Sequence, residues 1–373
     1  MAFGGAGAYS GGGRESSVTS SAEQRPARGN RRTGKPTIND VARLSGVSKK
    51  TVSRVINRSP LLNDETRERV LGVIRDLGYV PNPQARALAL RTNFLIGLIH
   101  DSPNAQIVLN VQQGILEALQ GTDYAMVVRP VDRGSSTLVD DVRHFLERQR
   151  PYGVVILPPL SENDSIARLC DELGCRYVRM GSAALDDPGH MVASNDREAV
   201  ADAVQFLVTQ GHRLIGLIAG PHGFRSAAER RLGFEDALAA ASLKLPPSLI
   251  AEGNYTFESG IAAAEKLLDL SPRPTAIFAS NDEMAAGAVH AARTRELSVP
   301  EDLSVVGFDD TPIAGHIWPP LTTVRWPIVS MARAAALKLL AGQGGAKEEV
   351  AEPSLFLSRL VERASVAGPP ETP

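Results

Sequence analysis

Only two cysteines, Cys170 and Cys175, occur among 373 residues, so no disulfide framework organises this fold. Neither has a further Cys or His close enough in sequence to complete a metal site, and the pair reads as two reduced thiols. No apolar run reaches the length of a bilayer span; the longest, such as 214–219, are strand-sized. The N-terminus is rich in Gly and Ser and carries no apolar core segment, so it reads as free of a secretory signal, and the expected compartment is the cytoplasm with no membrane partner. No glycine-rich phosphate loop follows a strand, and His212 and His222 stand without an evident nucleophile partner. Asp309-Asp310 does not read as a catalytic dyad, since adjacent side chains diverge. Enzymatic chemistry, a metal and a cofactor are therefore not expected. No heptad repeat closes the chain, which favours a dimer over a tetramer.

What is present points elsewhere. A chain of 373 residues is too long for one ordinary core and suggests two or three domains. A hydrophobic content of 43% describes a globular protein. The net charge of -2 hides a segregation. Between Arg25 and Arg91 there are 15 Lys and Arg against 5 Asp and Glu, whereas from Asn93 onward there are 24 against 35. A basic block ahead of an acidic body is the layout of an appended nucleic-acid-binding module. Residues 1–35 are poor in apolar side chains and read as a disordered basic tail, able to add non-specific attraction to phosphates.

Residues 36–80 read as three short helices. Thr37 followed by Asp40 matches a capping box. Val41, Ala42 and Leu44 are expected on the buried side of the first helix, Gly46 at the turn, and Ser48 as cap of the second helix, which buries Val52 and Val55. Asn63 opens the third, where Val70, Ile74 and Leu77 recur at helical spacing before Gly78 ends it. The second helix carries Lys49, Lys50 and Arg54 on one face. That is the outline of a helix-turn-helix, which sets a helix into the DNA major groove.

Pro81-Asn82-Pro83 then breaks the chain, and residues 84–90 form a candidate short helix within an 81–93 linker. So short a helix needs a partner to persist. Beyond it, strand-like runs at 94–99, 124–129, 153–157, 214–219, 275–279 and 304–308 alternate with helical patterns, among them 105–120, 196–210, 225–241 and 282–296. Such alternation argues for parallel sheets covered by helices, with ligands bound beyond the carboxyl ends of the strands. Asp101, Asn281 and Asp309 fall at such ends.

On ordered, specific segments the chain resembles the LacI/GalR family of bacterial transcription regulators from Pro36 to about Ala367. These are Thr37-Ile-Asn-Asp-Val-Ala, Val47-Ser-Lys-Lys-Thr-Val-Ser-Arg-Val-Ile-Asn, Leu77-Gly-Tyr-Val-Pro-Asn, Ser280-Asn-Asp-Glu-Met-Ala, Val299-Pro-Glu-Asp-Leu-Ser-Val-Val-Gly-Phe-Asp-Asp and Pro319-Pro-Leu-Thr-Thr-Val. The resemblance implies an α/β protein with a three-helix helix-turn-helix headpiece and a two-lobed, periplasmic-binding-protein-like effector domain at 94–367, followed by a tail at 368–373. It also implies a homodimer on double-stranded operator DNA, repressing carbohydrate genes under control of a bound sugar. The chain is expected to cross between lobes near 181, 326 and 354, giving an N-lobe of 94–181 and 326–353 and a C-lobe of 182–325 and 354–367.

By the same resemblance Lys49, Lys50 and Arg54 reach base edges, where a good bidentate contact discriminates by about 1–3 kcal/mol. Many relatives carry smaller residues at Lys49 and Lys50, which implies a different operator. Thr37, Ser48, Thr51, Ser53, Asn57 and Asn63 offer phosphate contacts, which set register, although capping alone explains Ser48 and Asn63. Leu88 matches the hinge-helix leucine wedged into the minor groove. In the effector domain, Arg230 matches the family's effector arginine, Asn281 and Asp309 its amide and carboxylate, and Tyr255 its stacking aromatic. Asp101 stands at another effector-facing position. Ser161 replaces an acidic ligand of some sugar-sensing relatives, and Arg179-Met-Gly replaces a frequent Ile-Asp pair, so the pocket is differently shaped. A purine-type corepressor is the alternative effector. A transport-linked sugar-binding protein is opposed by the missing signal and by the helix-turn-helix.

The wedge carries a test. Leu88→Ala is expected to weaken operator binding by about tenfold or more, since an unstacked base step is no longer held open, with effector binding unchanged. Equal operator affinity in a salt-controlled titration would remove Leu88 from the interface.

Overall fold

The computed structural model describes residues 35–57, 62–81, 93–341 and 353–370. The expected basic tail, the 84–90 hinge helix and Leu88 lie outside the described residues. The chain divides into two compact units after Pro81.

The first unit holds α1 (Ile38–Ser45), α2 (Lys49–Ile56) and α3 (Asp64–Leu77). Each start is fixed by a side chain. The Asp40 carboxylate accepts from the Thr37 N–H at 3.0 Å and from its hydroxyl at 2.7 Å. Ser48 Oγ accepts from the Thr51 N–H at 3.1 Å and Asn63 Oδ1 from the Thr66 N–H at 3.0 Å. Gly46 and Gly78 end α1 and α3 at φ 67° and 59°, left-handed values that cost glycine little. Val41, Ala42, Val52, Val55 and Val70 form the core, with Ile74 and Leu77 packed against it. Leu44, expected inside, is 50% exposed. Ser45 takes the inward place instead, its hydroxyl donating to the Val41 carbonyl at 2.6 Å.

The second unit contains two six-stranded sheets. In the N-lobe these are β1 (Leu95–His100), β2 (Ala125–Pro130), β3 (Gly153–Ile156), β4 (Arg176–Gly181), β5 (Met191–Ser194) and β11 (Leu355–Phe356), in the order β11-β5-β4-β3-β1-β2 and all parallel. In the C-lobe they are β6 (Ile215–Ala219), β7 (Ile250–Glu252), β8 (Ala276–Ala279), β9 (Ser304–Asp309), β10 (Thr322–Arg325) and β12 (Arg359–Val361), in the order β12-β10-β9-β8-β6-β7. Only β12 runs antiparallel. Both lobes therefore wind alike, each reversing direction beside its first strand, where an α/β sheet opens a crevice at its carboxyl edge.

Strands covered on both faces need unbroken apolar runs, as in β3 (GVVI) and β8 (AIFA), whose residues are all buried. On the N-lobe, α4 (Ala105–Leu119) and α12 (Ile328–Leu340) cover one face and α5 (Leu138–Gln149) and α6 (Asp164–Glu172) the other. On the C-lobe, α7 (Asp196–Thr209) and α8 (Arg225–Ala240) cover one face, α9 (Phe257–Leu268) and α10 (Asp282–Thr294) the other, and α11 (Pro312–His316) follows β9.

The lobe boundaries differ from expectation at two places. The first crossing falls between Ser194 and Asp196 rather than near 181, because Met191–Ser194 pairs in parallel with β4 and so belongs to the N-lobe. The third falls at 357–358 rather than near 354, because Leu355 and Phe356 pair with Ala193 and Ser194. Short strands without a strong alternation give little warning of which sheet they join. The crossing near 326 stands where expected, between β10 and α12.

Helix α4 lies so close to α12 that a Cβ at Gly114 would strike the Val329 carbonyl and the Ala332 side chain. An alanine in an open helix gains up to about 1 kcal/mol over glycine. Here overpacking of about 1–3 kcal/mol reverses the sign. Gly114→Ala is expected to lower the melting temperature in calorimetry, and an unchanged or raised value would mean the two helices part freely.

Candidate functional site

Two regions gather the functional residues, one in each unit. In the headpiece, α2 advances about 100° per residue, which places Lys49, Ser53, Asn57, Lys50 and Arg54 within one arc of about 140° opposite the buried Val52 and Val55. Lys49, Lys50 and Arg54 are exposed, and among the described residues none of them has an acidic partner. Elsewhere in the unit Arg43 lies 3.6 Å from Asp40 and Arg67 3.3 Å from Asp64. Three cations without an acidic partner thus share one face of α2. Ser48 and Asn63 spend their side-chain oxygens on caps, and the hydroxyls of Ser48 and Thr51 lie 2.9 Å apart at the start of that face.

In the second unit the carboxyl edges of both sheets face one cleft. The N-lobe contributes Ser102, Pro103, Asn104 and Ile107 after β1, Leu157 to Pro159 after β3, and Ser182 after β4. The C-lobe contributes Asp196, Phe224, Ser226, Arg230, Tyr255, Asn281 and Asp309, and Trp326 lies at the second crossing. The space encloses about 640 Å³ including its mouth, the size of a small-molecule site.

Arg230 is the centre of this cleft and only 4% exposed. Its Nε donates to Asp196 at 2.8 Å, its Nη1 donates to the Ser280 carbonyl at 2.5 Å, and Asp309 lies 3.8 Å from Nη1. The guanidinium also lies over the Phe308 ring, 3.6 Å from its centroid, a favourable place for a delocalised cation. Asp196 is held in turn by the Ser194 hydroxyl at 2.5 Å, which accepts from the Trp326 indole at 3.1 Å. Burial pushes the Asp309 carboxyl well above the usual range, with Arg230 opposing and Asp282 and Asp196 reinforcing the rise. Asp309 and Asp310 do diverge. Asp310 turns away to Arg325 and Arg363, each at 2.6 Å.

The other expected effector residues divide into two groups. Asn281 lines the cleft, caps α10 through a 2.9 Å bond from the Met284 N–H, and donates to the Tyr255 carbonyl at 3.1 Å. Tyr255 lines the cleft beside Phe224, with ring centroids 6.0 Å apart, and its hydroxyl fills the space a Cβ on Gly220 would need. Tyr255 and Asp309 adopt φ of 68° and 113°, backbone strain of the kind that clusters at binding sites. Asp101 and Ser161 do not line the cleft. Asp101 lies beneath its N-lobe edge, 3.6 Å from Arg133. Ser161 is turned inward, donating to the Met180 carbonyl at 2.5 Å. Arg179 lies inside β4. Only 3% exposed, it bonds the Ser161 carbonyl at 2.6 Å and Asp164 at 2.8 Å.

A family model for the bacterial regulatory proteins of the lacI family matches residues 37–82, and one for a periplasmic binding protein-like domain matches 204–366. The transcriptional regulator CelR of Thermobifida fusca is 36% identical over 319 residues, spanning 82% of this chain and 91% of the relative. The probable repressor ExuR of Bacillus subtilis is 33% identical, over 82% and 90%. The chain belongs to the LacI family.

Solved structures of the family superpose over most of it. The CelR–cellobiose complex aligns at a TM-score of 0.66 with 32% identity over 88% of this chain and 99% of the other. The lac repressor dimer bound to operator and the anti-inducer ONPF aligns at 0.72 with 29% identity over 90% and 100%. As in other LacI-family regulators, a DNA-binding headpiece precedes a two-lobed effector domain in this chain.

Sequence reasoning missed Asp196, Phe224, Ser182 and Trp326. Asp196 had a usable signal, an acid in the first turn of an expected helix. Trp326 had another, since it is one of two tryptophans and stands at an expected lobe crossing. Phe224 and Ser182 sit in connecting segments and had none.

Next to Asn281, Asp282 joins the segments that carry Asn281 and Asp309. It accepts from the Thr311 N–H at 2.7 Å, the Thr311 hydroxyl at 3.0 Å and the Thr323 hydroxyl at 2.5 Å. Burial outweighs these bonds and pushes its carboxyl up to about 7. The native state therefore holds a proton that the unfolded chain releases near the ordinary aspartate value of 3.8. Its contribution to stability falls as pH rises through that window, by up to about 1.4 kcal/mol per pH unit. Asp282→Asn should flatten the pH dependence of denaturant unfolding between about pH 4 and 7. A slope as steep as in the unaltered protein would assign the proton elsewhere.

Proposed function

We propose that this LacI-family regulator represses carbohydrate genes as a cytoplasmic homodimer whose hold on operator DNA is set by a sugar or glycoside bound between the lobes of the effector domain. The observation that carries the sensor half is the cleft itself. Arg230, Asp196 and Asp309 offer charge-assisted hydrogen bonds and Asn281 an amide, all at fixed angles, and Tyr255, Phe224 and Trp326 supply aromatic faces. Fixed polar groups beside apolar surface are what a pyranose requires. The CelR–cellobiose complex, named for a disaccharide, supports the ligand class.

For the DNA half, Lys49, Lys50 and Arg54 serve as donors to base edges, most readily to guanine O6 and N7. Thr37, Ser48, Thr51, Ser53, Asn57 and Asn63 flank them as phosphate contacts. The lac repressor structure, a dimer on its operator, supports two headpieces reading two half-sites of a pseudo-palindrome. The assignment includes no catalytic step. Among the described residues no helix is long and apolar enough to cross a membrane, which agrees with action on DNA inside the cell. Ligand binding shifts the angle between the lobes, and by linkage operator and effector must alter each other's affinity by the same factor.

The experiment is an operator titration at fixed salt against a panel of monosaccharides, disaccharides, aryl glycosides and one purine. A saccharide is expected to shift operator affinity by about fivefold to a hundredfold, and Arg230→Lys to abolish that shift while ligand-free operator binding remains. A response confined to the purine installs the corepressor alternative. Absence of DNA binding with and without every ligand defeats the regulator assignment.

A further inference from the structure

The lip of the cleft carries a carboxylate that the assignment above does not use. Glu162 ends a short N-lobe turn, Leu160–Glu162, and reaches across to the C-lobe. Its Oε2 accepts from the backbone N–H of Arg225 at 2.8 Å and its Oε1 from that of Ser226 at 3.3 Å. These are the first two residues of α8, the helix that also carries Arg230. Free N–H groups at the start of a long helix, together with the helix dipole, form the part of a cleft best suited to receive an anion. In this protein the other lobe supplies that anion.

Two cations beside the cleft are engaged as well. Arg230 is bound to Asp196 and the Ser280 carbonyl and faces Asp309. Arg133 lies 3.6 Å from Asp101, with its guanidinium over Phe224 at 3.9 Å. Two hydroxyl oxygens at the cleft are polar groups of a different kind. Ser182 Oγ and Tyr255 Oη line it, are buried and have no hydrogen-bond partner among the described residues; Ser182 is 8% exposed. A hydroxyl in that state suits another hydroxyl, and a buried anion without a free cation is strongly disfavoured.

We infer that Glu162 is a specificity-determining residue: by occupying the N-terminus of α8 from the opposite lobe, it restricts the cleft to uncharged polyhydroxy ligands and excludes phosphorylated and carboxylated ones. The inference rests on the cleft being the effector site and names the class of effector it takes. Burial pushes the Glu162 carboxyl up, and the two N–H bonds together with Arg225 and Arg133 oppose that rise.

The test uses full-length protein, calorimetric titration and four probes: inorganic phosphate, glucose 6-phosphate, glucuronate and cellobiose. The unaltered protein is expected to show no saturable binding of the three anions at millimolar concentration. Glu162→Ala exposes the two N–H groups and is expected to gain phosphate and glucose 6-phosphate binding by at least about tenfold. Glu162→Gln keeps an acceptor on those groups, guards against a folding defect in the alanine variant, and is expected to fall between the two. Saturable binding of glucose 6-phosphate or glucuronate by the unaltered protein overturns the inference. So does a folded Glu162→Ala protein, verified by its melting curve, that gains no anion binding. Because inorganic phosphate is no sugar, the alanine result stands or falls independently of whether a sugar controls operator binding.

Discussion

A single buried guanidinium sets the terms for the sensor. Arg230 can stay charged inside the protein only because Asp196, Asp309, the Ser280 carbonyl and the Phe308 ring converge on it. Removing one partner from such an arrangement leaves an uncompensated charge, a loss of about 3–5 kcal/mol. Those partners come from three segments, the start of α7, the end of β8 and the last two residues of β9, and a fourth, α8, carries the arginine itself. The ion pairing therefore fixes where the strand ends and helix starts of the C-lobe lie relative to one another. It also ties them to the lobe crossings, since Asp196 is bonded to Ser194 and Ser194 to Trp326. A ligand that perturbs Arg230 acts directly on two of the three places where the chain passes between lobes.

Much of this was legible in the sequence, for identifiable reasons. The headpiece could be read almost residue by residue because its helices begin at Thr37, Ser48 and Asn63 and two end at glycines, and caps are local chemistry. Leu44 was misplaced because a two-turn helix has too few residues for its apolar face to be unambiguous. The strands at 94–99, 153–157 and 304–308 were found within a residue or so of their ends, since strands covered on both faces must be apolar throughout. The short strands β5, β11 and β12 were not, and the lobe boundaries moved with them. Pairing across 160 residues of chain, as between Ala193 and Leu355, leaves no trace in either segment alone.

The site divided along the same line. Arg230, Asn281 and Asp309 stand at strand ends or on a helix with strong local patterns, and the cleft brings them together with Tyr255. Asp101 and Ser161 occupy comparable positions, yet side-chain direction turned them to other work, Asp101 toward Arg133 and Ser161 toward the Met180 carbonyl. Strand-end position identifies a candidate; only the packed structure decides which way it faces. The inward turn of Ser161 and Arg179 also explains how the N-lobe wall tolerates their departure from the family pattern. The two support each other through the 2.6 Å bond from Arg179 Nε to the Ser161 carbonyl.

The placement of Trp326 has an optical consequence. The chain has two tryptophans. Trp318 is 74% exposed, whereas Trp326 lines the cleft with its indole N–H bonded to Ser194. The emission of the first reports bulk water, and that of the second reports the polarity and hydrogen bonding of the ligand space. The protein thus carries an intrinsic fluorophore at the junction of its lobes, and replacing Trp318 with phenylalanine would leave that signal alone in the spectrum.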